Sequence, residues 1–419
     1  MAPFGGRKGA WRGVDATRGP AIPARLVWAL GMSQLVCWGV SYYVIGLFGE
    51  TMAADLGQGL PTIHGGFTVA LVVMGLVSPG VGRAIDRHGG RPVMVTGSLL
   101  MAAGCLGLSL AHGLAAYYGA WVLLGLAMRM ALYDAAFAAL ARIGGRAART
   151  PISQITLLGG LASTVLWPVG QGLADVLGWR GALGVYAVLA LATVPLHLLI
   201  PPDRHVPDRQ VSEGRAPENG AESAPPMPVP PSLLASVLYA LIVALTGMLN
   251  SGLSAHMIGM LAGLGMAPAL AVWVSTLRGV GQSAARLAEI RFGRRLSAFG
   301  LGILATGLIL PCFPLPAAFG AAPAAGIAFA LLFGAGNGLV TIVRGALPLA
   351  LFDPARYGQT VGRLITPGFF VSALAPLLFA LVIERFGDAA ALWLSFLLAV
   401  AAFVASLVLA LRFGPRRRA

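Results

Sequence analysis

Apolar residues fall along the chain in runs of about 20 or more, the length that lets a helix cross a hydrocarbon core. Short stretches holding most of the charge separate them. Twelve runs stand out, at about 26–48, 62–82, 92–112, 115–140, 152–174, 181–200, 233–256, 268–289, 297–317, 323–350, 364–384 and 389–411. The pattern predicts an all-α membrane protein with twelve transmembrane helices. Between the sixth and seventh runs, residues 201–232 are rich in Pro and mixed charge, cannot bury a core, and read as an extended linker. The expected domains are a tail at 1–25, a six-helix bundle at 26–200, the linker, a second six-helix bundle at 233–411 and a basic tail at 412–419.

Composition agrees with this division. Hydrophobic residues make up 57% of the chain and charged residues 11%, too little charge to cover a soluble domain of 419 residues. The 57 glycines suit close approach of helix backbones in lipid. A net charge of +14 would suggest nucleic acid in a soluble protein, but here the arginines recur in alternate loops, the linker and the tails. Only Arg180 and Arg385 lie in the opposite loops. An even number of crossings with one-sided basic loops places both termini and the linker in the cytoplasm, beneath a bacterial-type inner membrane. The first run is too long for the core of a signal peptide. Cys37, Cys105 and Cys312 lie in apolar surroundings and read as small buried side chains, not as a disulfide or metal site.

The loop after the second run reads GRAIDRHGGRP, from Gly82 to Pro92. It resembles the signature loop of the major facilitator superfamily, Gly-x-x-x-Asp-Arg-x-Gly-Arg-Arg. Gly82, Asp86, Arg87, Gly89 and Arg91 match, and Gly90 stands where the first of two arginines is usual. A fainter copy, RLAEIRFGRRL from Arg286 to Leu296, offers Glu289, Arg291 and Arg295 at the equivalent place in the second bundle. The resemblance implies two pseudo-symmetric bundles that rock about a midplane site. It also implies a conformational latch formed by these eight residues, because a carboxylate at a helix end can hold a neighbouring helix N-terminus and guanidinium groups. The helix-4 segment GLAMRMALYDAAF is similar to the superfamily's second motif, with Arg129 as its arginine and Leu132 and Tyr133 departing from the Gln and Gly usual there. The loop GRAIDRHGGRPVM, the turn LGWRGAL and the helix-8 segment GQSAARLAE are similar to the monocarboxylate-porter-like branch. Arg286 matches that branch's helix-8 arginine, and Gln282 replaces its aspartate.

Charge inside a membrane helix costs at least about 2.5–3.5 kcal/mol at the centre, so it normally faces a cavity and a partner. Arg129 and Arg278 lie near mid-span and are expected to line a cavity. Arg286 and Arg344 lie nearer the helix ends, where a cavity role competes with snorkelling. Asp134, the candidate coupling residue, is five positions after Arg129 and turned about 140° from it, so it pairs elsewhere, with nearby basic loop residues as one option. Arg129, Tyr133, Arg278, Gln282, Arg286, Asn250, Asn337 and Trp167 form the candidate substrate-binding set. Helices 3, 6, 9 and 12 carry few polar groups, as the superfamily's outer scaffold does. His256, at the outer end of helix 7, reads as solvated.

The excess of intramembrane arginine over carboxylate, with no intramembrane lysine, points to a secondary transporter for a small organic anion, with proton coupling as an option. The alternatives are an efflux pump for hydrophobic drugs or toxic metabolites and, in another class, a non-transporting membrane sensor. No P-loop, HExxH or catalytic triad occurs, and GAGNG at Gly334–Gly338 sits in an apolar span with no preceding strand. No enzyme activity, cofactor, metal or nucleic acid is expected. The expected partners are the small-molecule substrate, the lipid bilayer and protons, and the superfamily default is a monomer.

Overall fold

The computed structural model describes residues 22–202, 232–293, 296–320 and 322–415. Arg295 of the expected latch, and most of the two tails and the linker, lie outside the described residues. Among those described, helices and turns account for the whole fold and no strand occurs. Helix is the expected outcome, because lipid offers backbone N–H and C=O groups no partner and each span must satisfy its own.

Twelve helices can be followed among the described residues. They are α1 (Ala24–Asp55), α2 (Leu60–His88), α3 (Gly90–Ser109), α4 (114–144), α5 (149–177), α6 (179–198), α7 (Leu233–Gly263), α8 (Pro268–Phe292), α9 (Ala298–Phe319), α10 (Pro323–Leu351), α11 (357–386) and α12 (388–413). Eight continuous segments are long and apolar enough to cross a membrane. Leu114–Leu198 holds three of the helices and Pro354–Phe413 holds two. Inside these segments the chain reverses at Gly178 (φ 70°) and Gly387 (φ 82°), left-handed positions that suit glycine alone. The same device thus recurs between α5 and α6 and between α11 and α12, as two related bundles require. Helix α8 is less apolar than the rest because it carries Arg278, Gln282 and Arg286.

Arg83, Arg87, Arg91, Arg149 and Arg291 lie at one end of the molecule, here the basic end; Arg180 and Arg385 lie at the far end. At the basic end the two bundles are closed on each other. One apolar core runs through both there, joining Ile85, Phe137 and Ile152 to Ile342, Tyr357 and Val361. The far half of the second bundle has a separate core around Met257, Phe313, Phe329 and Phe379. The cross-bundle hydrogen bonds and the cross-bundle ion pair found among the described residues all lie in the basic-end half, so a cleft opens toward the far end.

At the far end, Arg180 ties the first bundle together. Its Nη2 pairs with Asp55 at 2.6 Å, and its Nη1 donates to the carbonyls of Ser109 (3.0 Å) and Ala111 (2.6 Å). The three cysteines are free and buried.

Candidate functional site: a cleft between the bundles and the gate beneath it

The closed gate is a contact of small residues along α2 and α11. Gly82 meets Gly358 so closely that a Cβ on either would strike the other's carbonyl oxygen. One turn deeper, Ser78 Oγ donates to Gly362 O (2.8 Å), and a further turn on, Thr366 Oγ1 donates to Gly75 O (3.3 Å). At the mouth, the Asp86 carboxylate accepts from the backbone N–H groups of Gly358 (2.9 Å) and Gln359 (2.7 Å). These amides open α11, and an anion there also meets the positive end of the helix dipole.

Other residues of the loop expected to form the latch take different places. Arg142 donates to the Asp86 carbonyl, and Arg91 Nε donates to Ile200 O (2.6 Å), anchoring the start of α3 to the end of α6. Gly89 makes the turn with φ 87°. A Cβ on Gly90 would strike Ala139, so close packing on α4 accounts for a glycine where the resemblance has an arginine. Arg87 is exposed. In the second copy, Glu289 faces Arg149, Thr150 and Ser153 at the start of α5, across a small cleft between the bundles. It makes no ion pair among the described residues, and Arg291 lies over the Phe292 ring at 5.7 Å.

Above the gate lies a cleft of roughly 1310 Å³, counting the part open to solvent. Six of the eight candidate substrate-binding residues line it: Tyr133, Asn250, Arg278, Gln282, Arg286 and Asn337. Arg129 and Trp167 do not. Trp167 stands at the rim, half-exposed, edge-on to Tyr43 with ring centroids 6.2 Å apart. Arg129 is 2% exposed and turns toward the gate, where its Nε donates to Ser78 Oγ (2.9 Å) and its Nη2 to Ser78 O (3.4 Å).

A break in α4 separates Arg129 from Asp134. Leu132 is extended (φ −81°, ψ −173°), and the helix restarts at Tyr133. The break frees the Ala131 carbonyl, which Gln34 of α1 satisfies through Nε2 at 2.8 Å. The restarted helix turns Tyr133 and Asp134 into the cleft, and Tyr133 OH donates to Thr156 O (3.1 Å). Asp134 reaches across to α10 and pairs with Arg344 Nη2 at 2.7 Å. The partner is thus an arginine 210 positions away in the other bundle, and not a basic residue of the nearby loops.

Neither Arg286 nor Arg344 snorkels; both line the cleft. Arg286 is 1% exposed. Its Nε donates to Gly338 O (3.4 Å) and its Nη2 to Thr341 Oγ1 (3.2 Å). The Gln282 amide oxygen, turned toward it, accepts from Nη1 (3.2 Å) and Nη2 (2.7 Å). Arg278 Nη1 donates to Ser254 Oγ (3.0 Å) and its Nη2 to Asn250 Oδ1 (2.5 Å), with the guanidinium carbon 5.0 Å from the centroid of the Phe333 ring. Neither Arg278 nor Arg286 has a carboxylate partner among the described residues. Glycines of α10 bring its backbone against that of α8: a Cβ on Gly334 would strike Arg278 O, and one on Gly338 would strike Gln282 O.

The opposite wall is aromatic. Trp38 lies 4.8 Å from Tyr42, 6.1 Å from Tyr43 and 5.0 Å from Tyr133 by ring centroids, and all four line the cleft. Sequence reasoning missed Ser78, Gly358, Gln359 and Trp38 as parts of the site and gate. His256, expected in solvent, is half-buried and bonds the Pro376 carbonyl at 2.8 Å.

A family model described as Major Facilitator Superfamily matches residues 30–284. Among curated proteins, an uncharacterised 38 kDa protein of Thermoproteus tenax is 30% identical over 181 residues, 43% of this chain and 48% of that protein. Human monocarboxylate transporter 11 is 28% identical over 192 residues, 43% of this chain and 40% of that one. The chain thus spans less than half the length of these relatives. Among solved structures, the human organic anion transporter MFSD10 superposes with a TM-score of 0.70, covering 92% of this chain and 100% of that one. At 16% identity, that likeness concerns the fold.

Proposed function

The chain belongs to the Major Facilitator Superfamily, and from that membership we propose that it carries a small organic anion across the membrane by alternating access. The observation behind the anionic cargo is a pair of cleft arginines, Arg278 and Arg286, held by neutral acceptors and without a carboxylate partner among the described residues. With Arg344 already paired to Asp134, the cleft keeps an excess of two positive charges. A guanidinium stays charged at every working pH and grips a carboxylate with two parallel bonds. A negatively charged solute entering from the far end is the natural complement.

In this reading the present conformation is the one open at the far end. The basic end, with the tails 1–25 and 412–419 and the linker 201–232, faces the cytoplasm of a cell with a bacterial-type inner membrane. The cycle opens the α2–α11 contact, releases Asp86 from the α11 amides and separates Asp134 from Arg344. Glu289, which faces the start of α5 and has no ion pair among the described residues, serves as the second latch in this reading. Asp134 is the cleft carboxylate available to carry a proton with the anion. The protein works as a monomer in the bilayer, needs no cofactor and performs no covalent chemistry.

Uptake into proteoliposomes tests this. Saturable entry of a carboxylate-bearing solute, lost in the Arg278→Ala variant, is the expected result. Movement of neutral hydrophobic drugs with no carboxylate entry would replace this reading with efflux. No flux of either kind, with co-purification of a partner protein, would point to a sensor.

A further inference from the structure

We propose that Gly160 of α5 is a positioning residue for alternating access: its bare backbone seats on the Arg286 guanidinium, capping that cation while the basic end is closed and uncovering it as that end opens. This rests on the alternating-access reading above and not on the nature of the cargo. Arg286 belongs to α8 of the second bundle, yet the backbone that meets it belongs to the first. A Cβ on Gly160 would lie 1.8 Å from Nη1 and 3.0 Å from the guanidinium carbon. No side chain fits between them, so α5 lies directly on the charged group.

Backbone conformation does not call for glycine at this position. Gly160 closes a helical stretch of α5 and its φ is not left-handed, so contact explains the missing side chain. The two adjacent glycines serve different partners. A Cβ on Gly159 would lie 2.4 Å from the Tyr133 hydroxyl oxygen, within the first bundle, whereas Gly160 faces the second. Arg286 cannot simply retreat from an added methyl group. Its Nε and Nη2 are held by Gly338 O and Thr341 Oγ1, and the Gln282 amide oxygen accepts from Nη1 and Nη2. All three holders lie on α8 and α10, so they travel with Arg286 when the bundles part, and α5 alone leaves it.

The cap covers a charge that is not neutralised. Arg286 borders the cleft floor but is 1% exposed, and it has no carboxylate partner among the described residues. Taking a charge out of water without a counter-charge opposes the closure that does so. Arg286 under Gly160 therefore strains the closed gate, against the Asp86 and Asp134 contacts that hold it. Arg278, eight residues and about 12 Å nearer the far end on α8, stays partly exposed to the cleft. The two cations thus differ in when they meet solvent: Arg278 in the present state, and Arg286 only after α5 lifts.

Two measurements on the purified full chain test this. The first modifies arginine with phenylglyoxal and reads each site by peptide mass spectrometry. Labelling of Ser153→Cys, in the small basic-end cleft, by a bulky maleimide reports opening of that end in the same samples. Arg278 is expected to react in the parent, and Arg286 to be protected. Adding Asp86→Asn should speed modification of Arg286 by the same factor as the maleimide labelling. The second measurement adds Gly160→Ala, whose methyl group overpacks the seat and should raise maleimide labelling roughly 5- to 150-fold. Arg286→Leu shortens the side chain so that it no longer reaches that methyl group. The effect of Gly160→Ala should vanish in its background, which also separates the seat from misfolding. Arg286 reacting as fast as Arg278 in the parent, or staying protected when Asp86→Asn opens the basic end, overturns the cap and leaves alternating access in place. So does a Gly160→Ala effect that is missing while Asp86→Asn still opens that end, or one that survives Arg286→Leu. Labelling of Ser153→Cys that responds to neither Asp86→Asn nor Gly160→Ala overturns both.

Discussion

Replacing Asp86 with asparagine is expected to unlatch the basic end while leaving each bundle intact. The carboxylate holds two backbone amides, Gly358 N at 2.9 Å and Gln359 N at 2.7 Å. A hydrogen bond to a charged group contributes about 1.5–3 kcal/mol, and a neutral one about 1 kcal/mol. Asparagine keeps one acceptor oxygen and turns an NH₂ donor toward the second amide. One charged bond becomes neutral and the other is lost, so the closed gate weakens by about 3 kcal/mol. With the gate open the carboxylate is hydrated, and there the substitution costs little. The open population therefore rises about 150-fold until it saturates. Ser153 reports on it, being 2% exposed on α5 in the cleft that faces Glu289. In a Ser153→Cys background, the labelling rate with a bulky maleimide should rise by that factor when Asp86→Asn is added. The native cysteines are buried and contribute little signal. A rate within threefold of the parent would refute the argument that these two amide bonds hold the gate shut.

Three further substitutions probe other parts of the structure. Gly82→Ala places a methyl group on the Gly358 carbonyl, and overpacking of about 1–3 kcal/mol should raise the same labelling rate, without the charge change. Asp134→Asn leaves Arg344 uncompensated in the cleft, at a cost of about 3–5 kcal/mol to the closed gate, and the reversed pair Asp134→Arg with Arg344→Asp should recover part of it in a double-mutant cycle read by labelling. Gln34→Leu orphans the Ala131 carbonyl at the α4 break, and a loss of about 1–3 kcal/mol should appear as a lower Tm of the purified protein.

The spans, the loops and their charge asymmetry were legible in the sequence because a lipid-crossing helix has few other ways to be written. Partnerships between bundles were not. Asp134 and Arg344 lie 210 positions apart, and no periodicity links them. The partners of Asp86 are backbone amides, which leave no trace in residue type. Arg129 was expected in the cavity because it lies mid-span. Instead Leu132 breaks the helix three residues later, so Arg129 and Asp134 serve different contacts. An unbroken helix already placed these two apart, but not which of them entered the cleft. The break falls within MRMALYDAA, where neither proline nor glycine marks it. The glycine cluster of α10 lies inside a helix, and its use in packing is plain only against α8.

That backbone-on-backbone meeting of Gly334 and Gly338 with α8 has a consequence for energetics of transport. Two helices locked so tightly cannot slide past each other, so any movement of one carries the other as a single casting. In the proposed cycle Arg278, Arg286 and Arg344 would ride on it like the feet of a tripod, keeping their mutual spacing whichever side of the membrane they face. Any asymmetry in that cycle between loading and unloading then originates in the first bundle, which brings Asp134 to Arg344 in this state and withdraws it in the other.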